Sequence, residues 1–290
     1  MILPTETVYG LAADAGNALA VARIFEAKGR PRFNPLIAHV EGVDQAAALA
    51  RLDDRAMRLT EAFWPGPLTL VAPAVGGDRV CDLARAGLET IAVRAPAHPL
   101  ARALLHDFGG PLVAPSANRS GRPSPTTFAA AVAETGAFAG AALDGGPCDV
   151  GLESTVVSLL DGPARLLRPG AVTRAQVEAL IGPLAEAQAD ARRSPGRLAR
   201  HYAPSAPVRL EASGPRPGEV YLAFGPAPAG PLVFNLSERG DLAEAATRFF
   251  HLLRAADALE PVAIAVAPIP TAGLGEALND RLRRAAGHVG

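Results

Sequence analysis

Three stretches of this chain concentrate side chains able to hold a charged small molecule. The first is Lys28-Gly29-Arg30-Pro31-Arg32-Phe33-Asn34-Pro35-Leu36. A lysine and two arginines fall within five residues, and Gly29, Pro31 and Pro35 restrict the backbone around them. A solvated surface run is the usual meaning of local charge. Here apolar residues follow at once, and a fixed cationic hook beside a strand suits a polyphosphate better than it suits water. Of the 28 Lys and Arg residues, Lys28 is the only lysine. Either codon bias spared it, or the position needs a compact ammonium rather than a guanidinium fork. His39 lies on the apolar run that follows, where a histidine is more often a satisfied core residue than a ligand.

The second stretch is Pro4-Thr5-Glu6-Thr7-Val8-Tyr9-Gly10-Leu11. Its hydroxyls read equally as a helix-capping cluster or as a holder for a small polar ligand at a strand's end. The third is Ala114-Pro115-Ser116-Ala117-Asn118-Arg119-Ser120-Gly121-Arg122-Pro123-Ser124-Pro125-Thr126. Small hydroxyl and amide side chains there leave room for a ligand against the backbone. The alternative is a turn before a helix capped by Ser124 or Thr126. The chain has no GxxxxGK[ST] and no GxGxxG, so a Walker loop and a dinucleotide fold are unsupported. No Ser-His-Asp or Cys-His signature stands out.

The elements that must position these stretches follow from periodicity. Asn17 caps a helix in which Val21, Ile24, Phe25 and Lys28 recur at i, i+3, i+4 and i+7, and Gly29 ends it. Lys28 therefore sits in the last helical turn. Residues 36–40 read as a short buried strand. Residues 54–63 read as a helix stopped by Trp64-Pro65-Gly66-Pro67. Strands are expected at 68–72, 91–94, 112–114, 141–143 and 155–159, alternating with helices near 98–106, 125–134 and 173–181. That alternation predicts an α/β or α+β domain over 1–182. Residues 183–207, broken by five prolines and glycines, read as a linker. Strands at 219–223, 232–234 and 262–267 and helices at 241–258 and 274–286 then predict a small three-layer α/β domain over 208–290.

Composition narrows the class. The chain is 49% hydrophobic and 20% charged with a net charge of −1, which suits a globular protein and argues against a general nucleic-acid coat. Cys81 and Cys148 are far apart and in no metal-ligand spacing, so a reducing, cytoplasmic setting is expected. No long apolar run predicts a membrane span, and no basic-then-apolar start predicts a signal peptide.

Six motifs in order, PTETVYGL, KGRPRFNPLIAHV, WPGPLTLV, TIAVRAPAHP, APSANRSGRPSPT and LESTVV, resemble the threonylcarbamoyl-AMP synthase family, the YrdC-like proteins. Ser194-Pro195-Gly196 with His201-Tyr202-Ala203-Pro204, and Gly273-Leu274-Gly275 with Asn279-Asp280-Arg281-Leu282, resemble the linker and C-terminal domain of its longer, two-domain members. The resemblance implies a twisted mixed sheet with helices and a large concave cleft, plus a smaller Rossmann-like α/β domain. Members carry a helix and more of a strand ahead of the first motif, whereas this chain begins three residues before it.

The activity implied is synthesis of L-threonylcarbamoyl-adenylate from L-threonine, bicarbonate and ATP, with release of pyrophosphate. The product supplies the group placed on adenosine beside the anticodon of certain tRNAs by downstream threonylcarbamoyl transfer proteins. Position by position, Arg30, Asn34, Thr90, Ser116, Ser124, Arg168 and Tyr202 match nucleotide contacts. Lys28 and Asn118 belong to the same basic hook and serine-asparagine pattern, with Lys28 on the triphosphate and Lys28 and Arg30 as catalytic cations. Thr7, His39, Arg94, Ser154 and the Ala114 backbone match threonine contacts, with Arg94 suited to a bidentate carboxylate pair. Mg2+ is expected to arrive on ATP, since no carboxylate cluster is apparent. The linker with Tyr202 is expected to act as a lid.

Two rivals remain from the sequence. A concave basic face implies weak RNA binding, against which the net charge counts. A hydrogenase-maturation carbamoyltransferase uses a related domain but needs Cys-rich zinc motifs that two cysteines cannot supply. The lysine gives the sharpest expectation: Lys28→Arg keeps the charge yet loses most threonine-dependent pyrophosphate release, and near-normal turnover in that variant returns Lys28 to codon drift.

Overall fold

The computed structural model describes residues 1–186 and 201–287. In chain order the elements are β1 (Ile2–Leu3), β2 (Gly10–Leu11), β3 (Ala13–Asp14), α1 (Ala18–Lys28), β4 (Ile37–His39), α2 (Val43–Ala47), α3 (Asp54–Phe63), β5 (Leu68–Pro73), α4 (Asp82–Arg85), β6 (Thr90–Arg94), α5 (Pro99–Phe108), β7 (Leu112–Val113), α6 (Phe128–Thr135), β8 (Thr155–Ser158), β9 (Arg165–Arg168), α7 (Arg174–Ile181) and β10 (Ala185–Glu186). After the gap come β11 (Val208–Arg209), β12 (Glu219–Ala223), β13 (Val233–Asn235), α8 (Leu242–Asp257), β14 (Ala263–Val266) and α9 (Leu274–Ala285).

Local signals explain the boundaries that matter for the cleft. The Asn17 side chain accepts from the amides of Leu19 and Ala20, opening α1. Gly29 closes it in a left-handed conformation, φ 58°, which a residue without Cβ adopts freely. That turn sends Arg30 away from the helix axis. Asp53 caps α3 by accepting from Ala56, and Thr173 with Gln176 forms a capping box on α7.

The large sheet has the order β10-β9-β8-β5-β6-β4-β7-β3 and mixes parallel with antiparallel pairs. Register decides what it can do. His39 pairs with Arg94 across parallel β4 and β6. Antiparallel β5 sets Leu70 opposite Val93, so Thr69 reaches the level of Arg94. Parallel β8 begins level with Leu68, and antiparallel β9 sets Arg168 against Val156. Five adjacent strands thus end or begin at one edge of the sheet, carrying His39, Arg94, Thr69, Ser154 and Arg168 together. The core beneath is apolar, with Leu59, Leu68, Leu70, Val93 and Val157 fully buried.

Some expectations shift. Residues 141–143 form no strand: Ala142 makes an isolated parallel bridge to Ile2, with Ile2 N–H donating to the Ala141 carbonyl and Leu143 N–H to that of Ile2, and β1 is only two residues long. Strand β9 and the short helices α2 and α4 were not anticipated. Most of the expected linker, with Ser194-Pro195-Gly196, lies outside the described residues. Its end, His201 to Ala203, joins both halves of the chain: His201 N–H donates to the Arg284 carbonyl and Ala203 N–H to that of Gly121.

The second sheet is parallel throughout, ordered β11-β14-β12-β13. Its Val220, Leu222, Ile264 and Val266 face packs with α8 and α9 in one cluster. The small residues of the other face, Ala223, Ala265 and Ala267, pack with Ala212 and Ala227 from loops. The two halves meet closely. Thr247 of α8 donates its hydroxyl to the Asp149 carbonyl at 2.8 Å. Gly151, at φ 73°, presses on the same turn, where a Cβ would fall 2.5 Å from the Thr247 Cα.

Gly151→Ala is therefore expected to combine left-handed strain, about 1–3 kcal/mol, with a backbone clash that lifts α8 away. The check is urea unfolding with limited proteolysis of the second half, both of which should worsen.

Candidate functional site

A cleft of about 510 Å3, counting its open mouth, lies at that sheet edge. Small-ligand sites span about 300–1,000 Å3. Thr7, Arg30, His39, Arg94, Ala114, Ser116, Ser154, Arg168 and Tyr202 all line it, although they come from seven separate segments of sequence. Glu153 and His201 line it too.

At one end Arg94 is anchored on three sides. Its Nε donates to the Gly66 carbonyl at 3.2 Å, Nη1 to Thr7 Oγ1 at 2.9 Å, and Nη2 to Glu6 Oε1 at 2.5 Å. A guanidinium has five N–H donors, so two remain for a ligand. Glu6 is buried, yet Arg94 outweighs the burial and holds its carboxyl below the usual range. Beside this pair, His39 Nδ1 lies 3.2 Å from the Ile37 carbonyl. A carbonyl only accepts, so the ring's proton sits on Nδ1 and Nε2 offers a lone pair. Burial, helped by Arg94, pushes the His39 pKa down to about 3, so the ring is neutral at physiological pH. Ser154 completes this end, its hydroxyl shared with Thr69 at 2.7 Å and receiving Arg168 Nη2 at 3.0 Å.

At the other end are Arg30 and Arg168. Arg30 is folded onto its own loop, donating to the Asn34 carbonyl, to Asn34 Oδ1 at 2.7 Å and to the Pro35 carbonyl at 2.9 Å. Asn34 thus serves as the holder of Arg30. Arg168 donates to the Ser154 carbonyl and hydroxyl, both at 3.0 Å. Burial lowers the pKa of both, that of Arg30 to about 10. Among the described residues neither makes a salt bridge, and their hydrogen bonds go to neutral groups; the nearby Glu153 charge offsets part of the burial of Arg168. Tyr202 lies over this end, 1% exposed, and its hydroxyl makes no well-formed hydrogen bond.

Lys28 is not among the residues that line the cleft; its ammonium is buried, donating to the carbonyls of Ser116, which does line it, and of Asn118. Helix α1 ends with its last turn against the 114–126 segment, and the ammonium ties the two together. A compact ammonium fits between two carbonyls where a wider guanidinium does not. Burial pushes its pKa well below the ordinary lysine value. Asn118 is likewise behind the wall, donating to the Arg119 and Arg122 carbonyls. Ser124 is buried and donates to Glu153, off the cleft lining. Thr90 opens β6 at the end opposite Arg94, about 13 Å away at strand spacing, and does not line the cleft.

Four contributors escaped the sequence reading. Glu6 anchors Arg94, Thr69 shares a hydrogen with Ser154, Glu153 lines the cleft, and Arg281 binds Glu153 from α9 at 2.9 Å. Arg281 had a readable signal: it shares the apolar face of α9 with Leu278, Leu282 and Ala285, where an arginine needs a buried partner. Among the described residues no three His, Cys, Asp or Glu side chains gather as a metal cage, and no helix is long and apolar enough to cross a membrane.

Comparison with known proteins places these features. Residues 1–170 match the Sua5, YciO and YrdC family model, described as telomere recombination, and residues 172–287 match the model of the threonylcarbamoyl-AMP synthase C-terminal domain. The threonylcarbamoyl-AMP synthase of Bacillus subtilis is 40% identical over 306 residues, spanning 98% of this chain and 88% of that protein. That of Pyrococcus abyssi is 41% identical over 312 residues, spanning 98% and 89%. The crystal structure of Pyrococcus abyssi Sua5 complexed with L-threonine superposes with a TM-score of 0.91 at 38% identity, over 98% of this chain and 89% of that one.

The neutral, buried His39 makes stability depend on pH in a definite direction. Its folded pKa near 3 lies below the unfolded value of about 6.5, so the unfolded chain binds the extra proton between them. Stability is full above about pH 6.5 and falls toward pH 3, by at most about 1.4 kcal/mol per pH unit for this group. Chemical denaturation from pH 7 to pH 4 should show a shallower decline in His39→Gln than in the wild type.

Proposed function

The chain belongs to the threonylcarbamoyl-AMP synthase family of enzymes, and on that premise we propose that its cleft joins L-threonine, bicarbonate and ATP into L-threonylcarbamoyl-adenylate, releasing pyrophosphate. The observation that carries the reading is that one cleft is lined both by Arg30 and Arg168, buried and in no salt bridge among the described residues, and by Arg94, which keeps two N–H groups free, beside a neutral His39. The first pair suits a polyphosphate and the second an amino acid.

Threonine would set its carboxylate on the two free N–H groups of Arg94, a charge-assisted fork. Thr7, Ser154 and the His39 Nε2 lone pair surround the remaining polar atoms. A neutral ring leaves the threonine amine without a repelling charge. Bicarbonate takes up a proton and loses water to supply CO2; the neutral amine nitrogen bonds to the CO2 carbon and gives up one proton, which balances the one taken up, leaving a carbamate. A carbamate oxygen attacks the α-phosphorus, an O–P bond forms, and the bond to pyrophosphate breaks. No protein nucleophile is required. Arg30 and Arg168 face the charge that develops on the phosphoryl oxygens, preorganised by their carbonyl anchors.

ATP would lie from Ser116 toward Arg168, with the unpaired Tyr202 hydroxyl over it. Mg2+ fits this cleft as an ion held by the phosphates: among the described lining residues the one carboxylate, Glu153, is already bound by Arg281 and Ser124. Asn34, Ser124, Asn118 and Lys28 then act by shaping the wall. Thr90 is reached only by a nucleotide extending past Pro35. The product serves threonylcarbamoyl transfer to tRNA by partner proteins, in the cytoplasm.

The direct test is pyrophosphate release with ATP and bicarbonate, with and without L-threonine. Release should require threonine; release indifferent to it refutes the assignment. Arg94→Lys keeps the charge but loses the fork, so the KM for threonine should rise about 10- to 100-fold, while that for ATP stays near the wild-type value.

A further inference from the structure

We propose that Arg281, contributed by the second half of the chain, is a positioning residue for the cleft: it holds the Glu153 carboxylate off Arg168 and Arg30 so that they stay available to an anionic substrate. The proposal rests on the reading of those two arginines as the nucleotide end.

Arg281 is fully buried and Glu153 nearly so, with side chains 0% and 7% exposed. Arg281 Nε donates to Glu153 Oε2 at 2.9 Å, and Nη1 donates to the Pro169 carbonyl and to Asp280 Oδ2, both at 2.8 Å. The other Glu153 oxygen accepts from the Ser124 hydroxyl. The carboxylate is thus held between α9 and the 114–126 segment. Its neighbour in sequence, Ser154, carries both hydrogen bonds that anchor Arg168. The Arg281 guanidinium also lies 5.4 Å from the centre of the Tyr202 ring, so the same side chain backs the residue that covers the nucleotide end.

Removing Arg281 would leave a charged carboxylate on the wall of a cleft built for phosphates. Such a group has two low-energy responses. It can turn to Arg168 or Arg30 and neutralise the guanidinium, or it can remain and repel the incoming anion. Either response weakens the nucleotide end and leaves the Arg94 end, anchored by Glu6, untouched. A residue outside the large sheet would then set the charge of a cleft otherwise built on that sheet.

The test uses the full chain as wild type, Arg281→Met, and Arg281→Met with Glu153→Gln. Arg281→Met should raise the KM for ATP by at least about tenfold, with the KM for threonine changed far less. Adding Glu153→Gln removes the stranded charge and should recover most of the lost kcat/KM for ATP. A merely structural role predicts equal damage to both substrates and no recovery in the double variant. An unchanged KM for ATP in a folded Arg281→Met protein, or failure of Glu153→Gln to restore it, overturns the proposal. If Arg281→Met does not fold, Arg281→Gln carries the same comparison, since it removes the charge while keeping hydrogen-bonding capacity for the Pro169 carbonyl. If the wild type releases no threonine-dependent pyrophosphate, the functional reading fails by itself; calorimetric binding of a non-hydrolysable ATP analogue to the same variants then decides the role of Arg281.

Discussion

Buried positive charge with too little negative charge to match it is the constraint on which this cleft depends. Arg30, Arg94 and Arg168 are all withdrawn from water at one end of one sheet. Glu6 answers Arg94, and Glu153 is bound by Arg281 from elsewhere, which leaves Arg30 and Arg168 hydrogen-bonded to carbonyl, amide and hydroxyl oxygens rather than to a carboxylate. Burial pushes their pKa values down, which states the same fact thermodynamically: the empty protein holds these charges at a cost. An anion entering the cleft removes that cost, so folding energy is stored as affinity.

The fold meets this cost through topology. A mixed sheet brings β4 and β6 to their ends where β5 and β8 begin, and β9 returns antiparallel to the same edge. Five strands therefore deliver polar side chains to one place while their other residues fill an apolar core. The loops then add what strands cannot. Gly29 turns Arg30 off the end of α1, and the Lys28 ammonium clamps that turn to the 114–126 segment. The cationic hook is rigid because a second buried cation stands behind it.

Much of this was legible in the sequence wherever a local signal existed. Asn17 and Gly29 bracketed α1, Trp64-Pro65 stopped α3, and α8 lay where a helix was expected over 241–258. Of the site residues, Thr7, Arg30, His39, Arg94, Ser116, Ser154, Arg168 and Tyr202 were named from motifs, and they converge on the cleft. What failed was long-range or two-sided. The two backbone carbonyls that hold Lys28 were not legible, because sequence does not show which distant segment an ammonium meets. Glu153 and Arg281 were missed as a pair because 128 residues separate them and only the docking of α9 joins them. Residues 141–143 looked like a strand by apolarity, but two-residue β1 supports only a single bridge, Ile2 to Ala142.

The central claim is that two ligands share one cleft, an amino acid at the Arg94 end and a nucleotide at the Arg30 and Arg168 end. Calorimetric titration of a non-hydrolysable ATP analogue into protein saturated with L-threonine tests it most directly. The account predicts one-to-one binding with affinity undiminished by threonine, and loss of that binding in Arg168→Gln with threonine binding retained. Mutual exclusion of the two ligands would contradict it.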